Sequence, residues 1–154
     1  MVAWLDETVN YPKWTYKVYP TEKTARENTK AQIQYLCEEE GKNIGAFALN
    51  DDPQANYDKG NWSRDLPVGS YMVLHTLAID PDYKDSGYGS QVIDFCLGQA
   101  KSLGYKAFRT DIVPENIPAR RFYEKNGFTY AGEADLERGI EDIPIFGLLE
   151  KNWS

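Results

Sequence analysis

Histidine occurs once in these 154 residues, and cysteine and methionine twice each. Neither Cys37 nor Cys96 has neighbours at metal-ligand spacing, so no metal site is expected and the pair reads as two buried free thiols. Positive charge is also short: 17 Lys and Arg face 24 Asp and Glu, a net charge of -7. Such a surface repels phosphate backbones, which speaks against nucleic-acid binding and mildly favours a cationic substrate. No apolar run reaches the ~18 residues a membrane helix needs. The amino terminus carries Asp6 and Glu7 where a targeting segment has basic and then apolar residues. The expectation is a soluble, cytoplasmic protein with no membrane partner.

What is present is a composition of 42% hydrophobic and 14% aromatic residues, enough for one globular domain spanning 1–154. Residues 1–20 hold Trp4, Tyr11, Trp14, Tyr16 and Tyr19 without a clean period and read as irregular or partly helical, followed by a short exposed helix at 21–30. Strands at 34–38 and 44–49 flank a turn at Gly41 and predict a hairpin. Residues 50–69 are rich in Asp, Asn, Pro and Gly and predict a long loop of the kind that serves a site. Residues 71–79 form a near-continuous apolar run ended by Asp80-Pro81, which predicts a strand buried on both faces.

From Tyr88 onward, Val92, Ile93, Cys96, Leu97, Ala100 and Leu103 recur at helical spacing, and Gly104 ends the helix. A strand at 107–113 precedes a second helix at 116–126, with Asn116 as cap, Pro118 in the first turn and Gly127 just past the end. Strands at 128–134 and 145–150 complete the order, which predicts a mixed-sheet α/β layer protein.

The segment Lys84-Asp85-Ser86-Gly87-Tyr88-Gly89-Ser90 joins the buried strand to the first amphipathic helix. Glycines let backbone approach a ligand closely, and the unpaired amides and positive dipole end of the first helical turn suit a pyrophosphate. An isolated Gly-x-Gly is equally the mark of an ordinary strand-to-helix turn.

Context separates the two readings. The segment resembles the signature of the GNAT superfamily of N-acetyltransferases, which runs Gln or Arg, two residues, Gly, one residue, then Gly or Ala, with Lys84 in the first place. The strand ending Leu77-Ala78-Ile79-Asp80-Pro81 is similar to the family's, and Asn116, Ala119, Tyr123 and Gly127-Phe128 fall in step with its second block. The resemblance implies a mostly antiparallel twisted sheet with helices on both faces and a central splayed strand pair. It implies acetyl-CoA as co-substrate, with the pantetheine arm pairing near Leu77 and Ile79, and the pyrophosphate and neighbouring groups held by Lys84, Asp85, Ser86, Gly87, Tyr88, Gly89, Ser90, Asn116 and Ala119. The implied activity is direct transfer of acetyl to a primary amine on a small molecule or peptide.

Tyr123 would be the general acid, because the departing thiolate needs a proton and a phenol can supply it. Asn116 also has a plain reading as helix cap, and Tyr123 as a core aromatic. His75 shares a face with Leu77 and Ile79 if its strand is regular, and could serve as the base; as a lone histidine in a buried strand it is read first as a structural residue. Glu133, Asp135, Glu137, Glu141 and Asp142 read as a solvated acidic loop.

Two departures qualify the resemblance. The family's usual first strand and helix are not visible, which raises a shortened variant, a misplaced start, or a partner such as a second copy of the chain that supplies the missing layer and covers the sheet edge. Asp85 beside a pyrophosphate should weaken binding unless it turns outward. The rival reading is therefore a coenzyme A-binding or regulatory module with weak or no turnover.

Overall fold

The computed structural model describes residues 33–83, 86–138 and 145–153. The expectations for 1–30, and those for Lys84, Asp85, Glu141 and Asp142, fall outside the described residues. Strands β1 (Gln34–Glu39) and β2 (Lys42–Asn50) form the expected hairpin, joined at Glu40 and Gly41 with φ of 52° and 79°. Positive φ at both central residues gives a tight turn whose twist matches the flanking strands.

Then follow β3 (Tyr71–Ile79), α1 (Tyr88–Ser102), β4 (Ala107–Ile112), α2 (Ile117–Lys125), β5 (Thr129–Ala134) and β6 (Phe146–Asn152). The sheet order is β1-β2-β3-β4-β6-β5, with β3 and β4 parallel and every other pairing antiparallel. A parallel pair needs a crossover, and α1 supplies it. Among the described residues no helix is long and apolar enough to cross a membrane.

One face of the sheet is covered by helix. Val92, Ile93, Cys96, Leu97 and Ala100 of α1 and Tyr123 of α2 pack on Leu49, Met72, Leu74, Phe108 and Leu149. Each large apolar side chain removed from water in this way contributes about 1.5–3 kcal/mol. Cys96 lies within this cluster, while Cys37 on β1 is only half-buried, because an edge strand is covered less than a helix facing the sheet.

The opposite face is covered differently. Tyr71, Val73, Ala107 and Leu148 pack under Tyr57 and Leu136, with Trp62 and Leu66 of the long 51–70 segment alongside. That segment contains a short 3-10 turn, Tyr57–Lys59, and is tied down by polar groups. Trp62 Nε1 donates to Tyr57 O at 2.7 Å, and Ser63 N donates to the Glu150 carboxylate at 3.1 Å. Arg109 Nη2 donates to Arg64 O at 2.8 Å, and its guanidinium carbon lies 4.3 Å from the ring centres of both Trp62 and Tyr71. Arg109 and its cross-strand neighbour Glu150 are only 2% and 3% exposed.

Candidate functional site

The parallel ladder between β3 and β4 is short. It runs Tyr71↔Ala107, Met72↔Phe108, Val73↔Arg109 and stops, although β3 continues to Ile79 and β4 to Ile112. The Thr110 hydroxyl donates to Leu74 O at 3.0 Å just beyond that point. Farther along, the β3 edge that faces β4 has no ladder partner among the described residues. Leu77 and Ile79 are half-buried along this edge.

A bulge accompanies the parting. The β2–β3 register shifts between Ala46 and Ala48, and Thr76 sits at φ 49°, a strained value for a β-branched residue. The bulge resets the alternation of β3, so Leu77 and Ile79 pack beside the helix-covered cluster that Met72 and Leu74 enter. His75 therefore does not share a face with Leu77 and Ile79, as a regular strand would require, because one extra residue intervenes.

The start of α1 lies at the end of this edge. Gly87 occupies the N-cap with φ 82°, a left-handed conformation that glycine adopts without strain. No side chain caps the helix and no acidic residue stands in its first turn. Gln91 N donates to Gly87 O at 3.2 Å, and the amides of Tyr88, Gly89 and Ser90 have no partner among the described residues. Ser86 and Gly87 are exposed, and the next three residues half-exposed. Gly89 has a reason of its own: a Cβ there would stand 2.8 Å from Phe122 Cε1, so this glycine lets α2 approach α1.

Asn116 caps α2, its Oδ1 accepting from Ala119 N at 3.2 Å, which leaves Nδ2 without a partner among the described residues. Ala119 is half-buried beside it. One turn on, Tyr123 is 6% exposed, its ring edge-on to Phe122 and Phe128 at 5.1 and 5.3 Å. Burial pushes its phenol well above the usual range, so it is protonated and able to donate at neutral pH. Thr110, whose hydroxyl bonds Leu74 O where the two strands part, pulls the phenol back toward its ordinary range against that burial.

A polar cluster occupies the other face at the same level. Asp111 accepts Arg138 Nη1 and Nη2 at 2.5 and 2.8 Å and the Tyr57 hydroxyl at 2.5 Å. His75 Nε2 lies 2.8 Å from Asn50 Oδ1 and 3.0 Å from Asp52 O. Burial depresses the His75 pKa from 6.5, against the opposing pull of Asp111. Sequence reasoning passed over Tyr57, Asp111 and Arg138. Asp111 did leave a signal, as a carboxylate that follows Arg109 and Thr110 in a predicted strand; Arg138 left none, since its partner lies 27 residues away. Glu137 is not simply solvated: Oε2 accepts from Asn56 Nδ2 at 3.1 Å, and Oε1 lies 3.7 Å from Lys59 Nζ. Glu133 is exposed on β5.

The chain matches the acetyltransferase (GNAT) family over residues 2–128, and it belongs to that family. An uncharacterised N-acetyltransferase of Methanocaldococcus jannaschii is 27% identical over 94 residues, 61% of this chain and 38% of that protein. An acetyltransferase of the GNAT family from Streptococcus agalactiae superposes with a TM-score of 0.73 at 19% identity, covering 88% of this chain and 74% of that one. Arabidopsis thaliana Naa50, in complex with the bisubstrate analogue CoA-Ac-MVNAL, has a TM-score of 0.64 at 16% identity, covering 89% and 86%. The chain spans between 38% and 59% of the length of the first curated relatives it matches.

Proposed function

We propose that this protein transfers an acetyl group from acetyl-CoA to a primary amine by direct attack, without a covalent enzyme intermediate. Family membership supports the reaction class, and the observation that carries it is the parting of β3 and β4 beyond Val73, followed along the chain by the uncapped start of α1. The unpartnered edge around Leu77 and Ile79 suits the amide-bearing pantetheine arm. The uncapped amides of Tyr88, Gly89 and Ser90 suit the pyrophosphate, with Ser86 and Gly87 leading into the turn and Lys84 and Asp85 preceding it in sequence. Asn116 Nδ2 and the neighbouring Ala119 complete the contacts from α2.

In this reading the amine nitrogen attacks the thioester carbonyl carbon, a C–N bond forms and the C–S bond breaks. Tyr123, held protonated by its burial, donates to the departing sulfur. The test is thiol release from acetyl-CoA across polyamines, amino sugars, amino acids and peptide amines, with wild type and Tyr123→Phe. Turnover is expected with at least one amine, falling about 100-fold in the variant. Tight acetyl-CoA binding without thiol release would instead support a binding module, and full turnover by Tyr123→Phe would remove the phenol from the mechanism.

A further inference from the structure

Amine attack needs a neutral nitrogen, whereas an alkyl amine with a pKa of ~10 arrives as an ammonium ion. Some group beside the opening must take that proton, and Tyr123 cannot, since its phenol is itself protonated. The polar cluster on the loop-covered face offers Asp111, Asp52 and His75.

Asp111 is already engaged, accepting both Arg138 terminal nitrogens and the Tyr57 hydroxyl. Those three donors occupy both of its oxygens. The exposed Asp52 carboxylate accepts the Gln54 amide at 2.8 Å, while the residue's main-chain carbonyl faces His75.

For His75 the hydrogen bonds determine the tautomer. Asn50 Oδ1 also receives the Asp52 amide at 3.2 Å, which fixes that atom as the oxygen of the side-chain amide. Asp52 O is a carbonyl and can only accept. Both partners of Nε2 are therefore acceptors, and Nε2 must carry the proton. Nδ1 then bears the lone pair, and among the described residues it has no hydrogen-bond partner.

We propose that Nδ1 of His75 is the base that deprotonates the incoming ammonium, an inference that rests on the acetyl-transfer reading above. His75 follows Leu74, whose carbonyl marks the parting of the strands. Tyr123 approaches the parting from the helix-covered face and His75 from the loop-covered face, so the amine enters on one side and the thiol leaves on the other.

The proton balance closes. The ammonium gives one proton to Nδ1, and the freed lone pair forms the C–N bond. The sulfur leaves with the C–S electron pair and takes the Tyr123 proton. The second nitrogen proton, lost as the amide forms, restores the phenol. The imidazolium returns its proton to solvent, so one amide, one thiol and one proton are produced. The charged groups facing the ring are Asp111 from β4, Asp52 after β2 and Arg138 after β5. Asp111 and Arg138 offset each other, and burial leaves His75 neutral at pH 7.

The experiment compares kcat/KM for the best amine across pH in wild type, His75→Gln and His75→Ala. The wild type should lose activity on the acid side as His75 protonates. Glutamine can still donate to Asp52 O, so His75→Gln should keep its fold and acetyl-CoA affinity, lose about 100-fold in turnover and lose that acid limb. Added imidazole should restore His75→Ala. A His75→Gln enzyme that stays within about twofold of wild type, or keeps the same limb, overturns the assignment. Because the chain has one histidine, the imidazole 15N spectrum reads the tautomer without any turnover. A protonated Nδ1 at pH 7 overturns it as well. Wild type that releases no thiol with any amine refutes the transfer reading itself, a result distinct from a normal wild type with an unaffected variant.

Discussion

The two faces of the sheet are built by different means. Under α1 and α2 the contacts are almost wholly apolar, with the Tyr123 phenol and the Thr110 hydroxyl as polar groups among them. Under the 51–70 segment the buried residues include Arg109, Glu150 and His75, and irregular backbone takes the place of a helix. A helix satisfies its own backbone groups and asks only for apolar contact. A loop cannot, so the sheet must offer it donors and acceptors. In the proposed reading the apolar face therefore supports the start of α1, where the pyrophosphate would bind, while the polar face holds the imidazole that would take the proton.

Arg109→Ala should show the largest effect of this contrast. The substitution removes a guanidinium held between Trp62 and Tyr71 together with its bond to Arg64 O, and takes a positive charge away from the neighbourhood of Glu150, a loss of about 2–4 kcal/mol in urea unfolding. Arg109→Met combined with Glu150→Gln should recover most of it, because the buried charge is then gone from both sides. A single-variant loss below about 1 kcal/mol would mean that the loop is held by its aromatic contacts alone.

Gly89→Val probes the apolar face. The new side chain must displace the Phe122 ring, which is packed on Tyr123, so thermal unfolding should show a loss of about 1–3 kcal/mol. Turnover should fall further than coenzyme affinity, because the displaced ring supports the phenol rather than the amides of α1. Equal falls in both would place the damage at the amides of Tyr88, Gly89 and Ser90.

The faces also differ in how far they could be read from sequence. The apolar periodicity of α1, the cap at Asn116, the turn at Gly41 and the strand 71–79 are local signals, and each element stands where those signals put it. Strand ends moved by one or two residues, as at Lys42–Asn50 and Phe146–Asn152, since pairing with a neighbour extends a strand past its apolar run. The polar face joins residues far apart in the chain, such as Asp111 with Arg138 at 27 positions and Ser63 with Glu150 at 87. No window of sequence contains such a pair. Nor does anything local mark Thr76 for positive φ, so the bulge that turned His75 away from Leu77 could not be foreseen.

Asn116→Ala tests a residue with two readings on the apolar side. Losing the bond from Ala119 N should cost about 1 kcal/mol of stability in urea unfolding. If Nδ2 also holds the coenzyme, acetyl-CoA affinity should fall more than that loss can explain, whereas Asn116→Asp should keep the cap and still weaken binding. Unaltered affinity in a folded Asn116→Asp protein would leave Asn116 as a cap alone.

The smallest expected effect belongs to His75 and concerns stability against pH. Its pKa in the folded protein lies below the ordinary 6.5, so on acidification the unfolded chain takes up the proton first. The stabilisation is therefore fully present above about pH 6.5 and is lost as pH falls through the folded value. Wild type minus His75→Gln, followed by urea unfolding from pH 8 to 5, should show a difference that turns against the wild type only on the acid side. A difference that instead turned against the wild type as pH rose would mean that Asp111 prevails over burial and Arg138 at this ring, and that the cluster holds imidazolium. That result would take the free base away from the polar face and leave the contrast between the two faces one of packing only.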